Sequence, residues 1–405
     1  MAKKKDNNRQ ATAPQAPASS GGRLLALDIL RGITIAGMIL VNNPGSWGHI
    51  YAPLKHASWH GLTPTDLVFP FFMFIMGIST YFSLRKYDFR ISASSALKII
   101  RRTIVIFAIG IAIAWFGLFL RGVLGEKTFI DAVFNFDHIR ILGVMPRLAL
   151  CYGIGALIAL TVRHKALPWV VGLLLVIYTI MLICGNGFAF SDSNIIAVVD
   201  NKILGADHMY TDTVDGIRLK FDPEGLLSTI PSIAHMLIGF ICGGLIMKTK
   251  DNNLRINSLF IVGTILTFSG FLLDYGIPVN KKIWSPTFVL TTCGLAASFL
   301  GLLIWIIDIR GHKKWCRFFE AFGINPLFMY CLGAVLSIII GSVKVPYAAA
   351  ATGMTTIKGW FYQGVLMPFC GDDATLASLM FAIIFVLINW CIGYILYKKK
   401  IYIKI

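Results

Sequence analysis

The stretch that decides the reading is 24–41, LLALDILRGITIAGMILV, followed by 42–62, NNPGSWGHIYAPLKHASWHGL, and 63–77, TPTDLVFPFFMFIMG. The first part is apolar over eighteen residues, broken only by Asp28 and Arg31. The second is a polar connection holding His49, Lys55, His56 and His60. The third starts a new apolar run at Thr65-Asp66 and carries Phe69-Pro70-Phe71-Phe72. Apolar runs of this length are membrane spans, because in lipid the backbone must satisfy its own hydrogen bonds. Ionisable groups are expensive between two such spans, so chemistry is sought there first.

The rest of the chain repeats the pattern. It has 405 residues, of which 56% are hydrophobic and 14% charged, with a mean hydropathy of +0.72. We read an all-α, polytopic membrane helix bundle of about ten spans. They fall at 24–42, 65–84, 98–120, 141–161, 166–184, 229–247, 257–274, 286–308, 319–340 and 376–397. Residues 1–22 read as a disordered cytoplasmic tail, and 23–405 as one membrane domain. The polar segment 185–228 is an extracytoplasmic loop with the makings of a lid, and 347–362 is a re-entrant or interfacial piece. Pro70 is expected to bend the second span.

The net charge of +17 invites a nucleic-acid reading, but its distribution excludes one. Lys3-Lys4-Lys5, Arg85-Lys86, Arg101-Arg102, Arg310 to Arg317 and Lys398-Lys399-Lys400 sit at span ends. With both termini cytoplasmic, most of the 37 Lys and Arg residues fall in or beside cytoplasmic segments, as the positive-inside rule asks. The eight cysteines show neither metal spacing nor a disulfide framework.

His56, at the outer end of the first hairpin, has a side chain able to take a proton from an amine or hydroxyl, or to be acylated. Asn42 is placed to orient it or to donate to a developing oxyanion. The plain alternative is a solvated loop histidine. His49 and His60 compete, and His56 with His60 permits a metal pair lacking a third ligand. Asp28 and Arg31 share a helix face, either as a packing ion pair or with Arg31 on a phosphate. Asp66 reads as a helix cap. Arg147 lies inside an apolar run beside Pro146 and needs a carboxylate or phosphate partner. Glu224 leads into a helix bearing His235. Lys282 and Trp284 describe either an anion site or an interfacial anchor.

Taken together, Lys55 to Thr63 continuing through Asp66-Leu67-Val68-Phe69-Pro70 to Gly77 resembles the heparan-alpha-glucosaminide N-acetyltransferase family. Supporting matches are Asp28 to Gly32, Asn42, Gly143 to Leu148, Asp222 to Ser232, Pro278 to Ser285 and, more loosely, Gly323 to Pro326. The resemblance implies a transmembrane acyltransferase fold and a homodimer. It implies transfer from cytosolic acetyl-CoA, as cosubstrate and without a metal, to an amino sugar or glycan across the bilayer. It maps the catalytic histidine onto His56 and an active-site asparagine onto Asn42. Basic groups at inner helix ends, Arg31, Arg101 or Arg102, are then expected to meet the CoA phosphates, with Arg147 and Lys282 as further anion contacts. Asp28, Asp66, Glu224, His235 and Trp284 are structural or substrate-side candidates. The expected location is a bacterial cytoplasmic membrane with His56 near the periplasmic side. The family's luminal N-terminal domain has no counterpart here, and the Asn42–His56 connection is longer, so a periplasmic amino sugar or glycan is the expected acceptor, and O-acetylation stays open. Two other classes remain: a secondary transporter or flippase using His56 as a proton relay, and a catalytically silent membrane protein.

Overall fold

The computed structural model describes residues 24–125 and 127–403; the tail expected over 1–22 lies outside them. Among the described residues, nine helices are long and apolar enough to cross a membrane, and a sharply bent pair makes a tenth if counted as one span. The main helices are α1 Leu25–Asn42, α2 Val68–Leu84, α3 Ala93–Val123, α4 Val144–Thr161, α5 Leu167–Cys184, α6 Ile195–Leu204, α7 Thr229–Lys248, α8 Asn252–Asp274, α9 Pro286–Ile304, α10 Cys316–Gly323, α11 Pro326–Ser342 and α12 Ala374–Lys398.

Local chemistry sets their ends. Ser92 caps α3, Asp251 caps α8, Ser285 caps α9 ahead of Pro286, and Asp373 caps α12, each accepting from backbone N–H groups that helix geometry leaves unpaired. Pro70 falls in the first turn of α2, where an N–H has no intrahelical partner to lose, and α2 runs on unbroken to Leu84.

α1, α4 and α7 are mostly buried, and α7 is the hub, packed on α2, α4, α5 and α9. The outer helices carry bare apolar faces, such as Trp169, Leu173, Val176 and Ile180 on α5. A lipid solvent makes such faces ordinary. Glycines let backbones touch: a Cβ on Gly77 would stand 2.1 Å from the Met236 carbonyl oxygen, and one on Gly239 2.1 Å from that of Phe74. α2 and α7 therefore meet backbone to backbone, the usual device of helices that gain nothing from apolar burial between lipid-like surfaces.

The span expected to run unbroken over 319–340 is instead the pair α10 and α11, bent by 82°. Asn325 leaves the helical region at φ −122°, ψ 58°, and Pro326 then restarts the chain. Asn325 also holds the last described residues: its Nδ2 donates to the Ile401 carbonyl at 2.8 Å, and the Ile403 N–H donates to its Oδ1 at 2.9 Å.

Two connections build structure of their own. Segment 185–228 contains α6 and an antiparallel hairpin, β1 Thr211–Val214 with β2 Ile217–Lys220. It packs through Ile196 and Phe221 onto Trp59, Tyr178 and Ile283, forming a second small core beside the His56 loop. The connection after α11 forms the hairpin β3 Lys344–Pro346 with β4 Met354–Thr356. A helical segment then runs from Ile357–Trp360 through a π turn, Phe361–Leu366, to Met367–Phe369, later in the chain than the expected 347–362.

Candidate active site

The ends of α1, α2 and α4, with the loops 43–67, 134–143, 205–228 and 275–285, enclose a cavity of about 350 Å³. Asn42, Trp47, His56, Asp66, Arg140, Tyr210, Asp212, Glu224, Lys281 and Lys282 all face it, with Met38, Val68 and Phe69 supplying an apolar side.

At its centre the Nδ1 of His56 lies 2.6 Å from Oδ1 of the buried Asp66. A carboxylate can only accept, so Nδ1 carries the proton and Nε2 is the basic nitrogen. Asp66 is itself fixed: its Oδ2 accepts from the backbone N–H of Ala57 and of Thr63, each at 3.1 Å, and from the Thr63 hydroxyl at 2.9 Å. The carboxylate expected to cap a helix does so, and the same group orients the imidazole. Lys281 Nζ stands beside the ring, 3.0 Å from Nδ1 and 3.4 Å from Nε2, and 3.4 Å from Asp66 Oδ1. Burial pulls the Lys281 ammonium below the ordinary lysine range, with Asp66 and Glu224 opposing it.

Lys281 is delivered by the turn that precedes α9. Asn280 organises this turn, accepting at Oδ1 from the N–H groups of Lys282 (2.8 Å) and Ile283 (3.2 Å). The Gly61 N–H donates to the Val279 carbonyl at 2.7 Å and ties the turn to the His56 loop. Trp284 closes the turn at φ 52°, a left-handed conformation unusual for a bulky side chain and held here by complete burial.

The rim is a charge network. Arg140 donates from Nε to Asp222 at 2.9 Å and from a terminal nitrogen to Glu224 at 2.6 Å, while its guanidinium covers the Tyr210 ring. Burial pushes the Glu224 carboxyl up, but Arg140, Arg147 and Lys281 together outweigh it, and the net is a carboxyl below its ordinary range. Lys282 pairs with Asp212 at 2.7 Å. Asn42 is the last residue of α1 and is exposed, whereas its neighbour Asn43 is buried and bonded to the Ile39 carbonyl. Asn42 and Met38 also line a second cavity, of about 190 Å³, that follows α1 and α11 past Ile39, Tyr330 and Gly333.

Beneath the cavity Arg147 is completely buried. It donates to Ser232 Oγ at 2.8 Å, the Gly225 carbonyl at 2.7 Å and the Ser228 hydroxyl, and stacks over Trp284. His235 is also fully buried, its ring 5.8 Å from that of Trp284. Arg147 thus joins α4 to the 222–228 turn, and His235 supports Trp284 from below.

Of the sequence candidates, His56, Asn42, Asp66, Glu224 and Lys282 converge on one cavity. Trp284, Arg147 and His235 form the layer under it. Arg31, Arg101 and Arg102 do not join them. Arg31 sits at the other end of α1, about 16 Å along the helix from Asn42, bonded to Asp28 at 2.8 Å and Ser79 at 2.7 Å. Arg101 is exposed, and the Arg102 guanidinium covers the Tyr152 ring. His49 and His60 do not line the cavity. Sequence reasoning passed over Lys281, Arg140, Tyr210 and Asp212. Lys281 had a signal, since it adjoins Lys282 in the same turn; the others come from loops whose approach no spacing reveals. Among the described residues no group of three His, Cys, Asp or Glu side chains is arranged to hold a metal ion.

The chain is thus a multi-pass membrane helix bundle with a histidine–carboxylate pair in the loop of its first hairpin. The catalytic-region model of heparan-alpha-glucosaminide N-acetyltransferase matches residues 23–277, well over half of the chain, which therefore belongs to that family. Similar curated proteins are the mouse heparan-alpha-glucosaminide N-acetyltransferase, 26% identical over 97% of this chain and 62% of its own length, and the human protein of the same name, 28% identical over 76% of this chain and 52% of its own. The chain thus spans between half and two-thirds of the length of these relatives.

Proposed function

We propose that the protein moves an acetyl group from acetyl-CoA to the amine of an amino sugar or glycan, with the hydroxyl of such a sugar as the variant acceptor. The observation that carries this reading is the His56–Asp66 pair in a cavity that Asn42 also lines. Asp66 holds the Nδ1 proton, so His56 Nε2 takes the proton of the attacking amine or accepts the acetyl group itself. In either route positive charge develops on the imidazole, and Asp66 stabilises it. Asn42 polarises the thioester carbonyl or holds the ring. Glu224 and Asp212 give the acceptor ammonium and hydroxyls acidic partners at the rim.

For the donor, the slot between α1 and α11 opens at Asn42 and is narrow and mainly apolar, which suits the arm that carries the thioester. Arg31, Arg101 and Arg102 at the opposite end are proposed to meet its phosphates. We place that end in the cytoplasm of a bacterial cell, with both termini, and His56 near the periplasmic face, following the lysine and arginine distribution. A homodimer is proposed by analogy with the family.

The test uses purified protein and radiolabelled acetyl-CoA, with and without glucosamine, alongside His56→Ala. Labelled N-acetylglucosamine from wild type but not from the variant is the expected result, and label retained on the protein without sugar identifies the acetyl-histidine route. Normal transfer by His56→Ala would remove His56 from the mechanism. Failure of wild type to bind acetyl-CoA would remove the donor.

A further inference from the structure

A second pocket lies away from the catalytic cavity and is of another kind. It encloses about 240 Å³ between α11, α12 and the helical segment after β4, lined by Leu336, Ile340, Trp360, Phe381, Ile384 and Ile388, with a wholly apolar exposed surface. There Lys358 hangs 5.7 Å from the centre of the Phe381 ring. Among the described residues no carboxylate pairs with Lys358. Burial alone depresses its ammonium, with no acidic neighbour to offset it. An ammonium in an apolar wall without a counter-ion is costly unless something anionic comes to it.

The depth of the pocket indicates what that is. Phe381 and Ile388 lie roughly 10 and 21 Å along α12 from its first residue, at 1.5 Å per residue. The pocket therefore follows α12 for roughly 10 Å, with Lys358 beside Phe381 at its outer end and its inner end at a depth that belongs to the hydrocarbon zone of a bilayer. We propose that this is a binding site for an anionic glycerophospholipid, one acyl chain filling the apolar pocket and the phosphate resting on Lys358. Trp360, 43% exposed beside it, supplies the ring that commonly sits at this depth.

The site abuts the catalytic loop. The Gly45 N–H donates to the Ser378 carbonyl at 3.1 Å, and a Cβ on Gly45 would stand 2.6 Å from the Tyr362 ring and 3.1 Å from Phe381 Cβ. A lipid chain against Phe381 and the π turn thus braces the bend that follows Asn42.

Wild type, Lys358→Ala and Ile384→Trp are to be purified from nanodiscs of phosphatidylcholine containing a minority of phosphatidylglycerol, and retained lipid counted by native mass spectrometry. Wild type should keep one phosphatidylglycerol in preference to phosphatidylcholine. Lys358→Ala should hold it about fivefold more weakly, the worth of one basic residue at a lipid surface. Ile384→Trp should lose it by filling the pocket; if that variant does not fold, Lys358→Ala decides alone. Equal retention of both lipids by wild type, or unchanged retention by Lys358→Ala, overturns the proposal. So does a change in oligomeric mass without a change in lipid, which would make this face a contact between copies.

Discussion

Asp66 serves two structures with one carboxylate. Its Oδ2 closes the start of the second span through Thr63, and its Oδ1 fixes the His56 tautomer. Asp66→Asn keeps the size of the side chain but gives Oδ1 or Nδ2 the wrong partner on one side. We expect kcat for acetyl transfer to fall roughly a hundredfold or more with KM nearly unchanged, the usual scale for losing a positioned base, and steady-state kinetics decides it. Asp200 offers a test without catalysis. Fully buried under the 225–228 turn, it accepts from the Leu227 N–H at 3.1 Å, and burial pushes its carboxyl up to about 6. An acid raised on folding contributes stability that is complete below its unfolded pKa and is lost as pH rises through the folded value. In thermal unfolding, Asp200→Asn should therefore gain on wild type by about 2–3 kcal/mol between about pH 4 and pH 7. A constant difference across that range would contradict the assignment. His56 and Asn42 drew attention in the sequence because they lie in and at the edge of a polar connection between two apolar spans, where ionisable groups are concentrated. The second bond of Asp66 was not, since a cap already accounts for an acid at that position.

Element positions follow from what lipid demands, and the spans read from apolar runs lie where helices form. The exceptions have local causes. Pro70 leaves α2 unbroken because the helix begins only two residues before it, and Asn325-Pro326 breaks a helix outright where a continuous one was expected. The hairpins at 211–220 and 344–356 escaped because short polar strands within a loop carry no periodicity long enough to read. The crossing of α2 and α7 gives a test at this scale. Gly239→Val drives two methyl groups into the Phe74 backbone, at a cost of about 3 kcal/mol or more. Because α2 begins at the Asp66 cap, the variant should lose both thermal stability and transfer. A variant with wild-type unfolding temperature would show that the backbones are farther apart than described.

At the scale of the molecule, the catalytic candidates gather at one end of the bundle, while Arg31, Arg101 and Arg102 lie toward the other. The proposed route therefore crosses the bilayer, and sidedness is measurable. In proteoliposomes with the protein in one orientation, external acetyl-CoA should acetylate glucosamine trapped inside, and with the opposite orientation it should not. Product only when both substrates share a compartment would confine the reaction to one face. The charge distribution carries the expectation about which end faces which side, whereas the cavity was not legible, because it is assembled by four loops distant in sequence. The clasp between Asn325 and residues 401–403 carries a consequence for handling the protein. Cutting the chain after Lys400 would take from the Asn325 amide both backbone partners that hold it at the kink, and with them the strap over the break in the helix. A truncated form that melts at the same temperature as the full chain would show the strap to be ornamental.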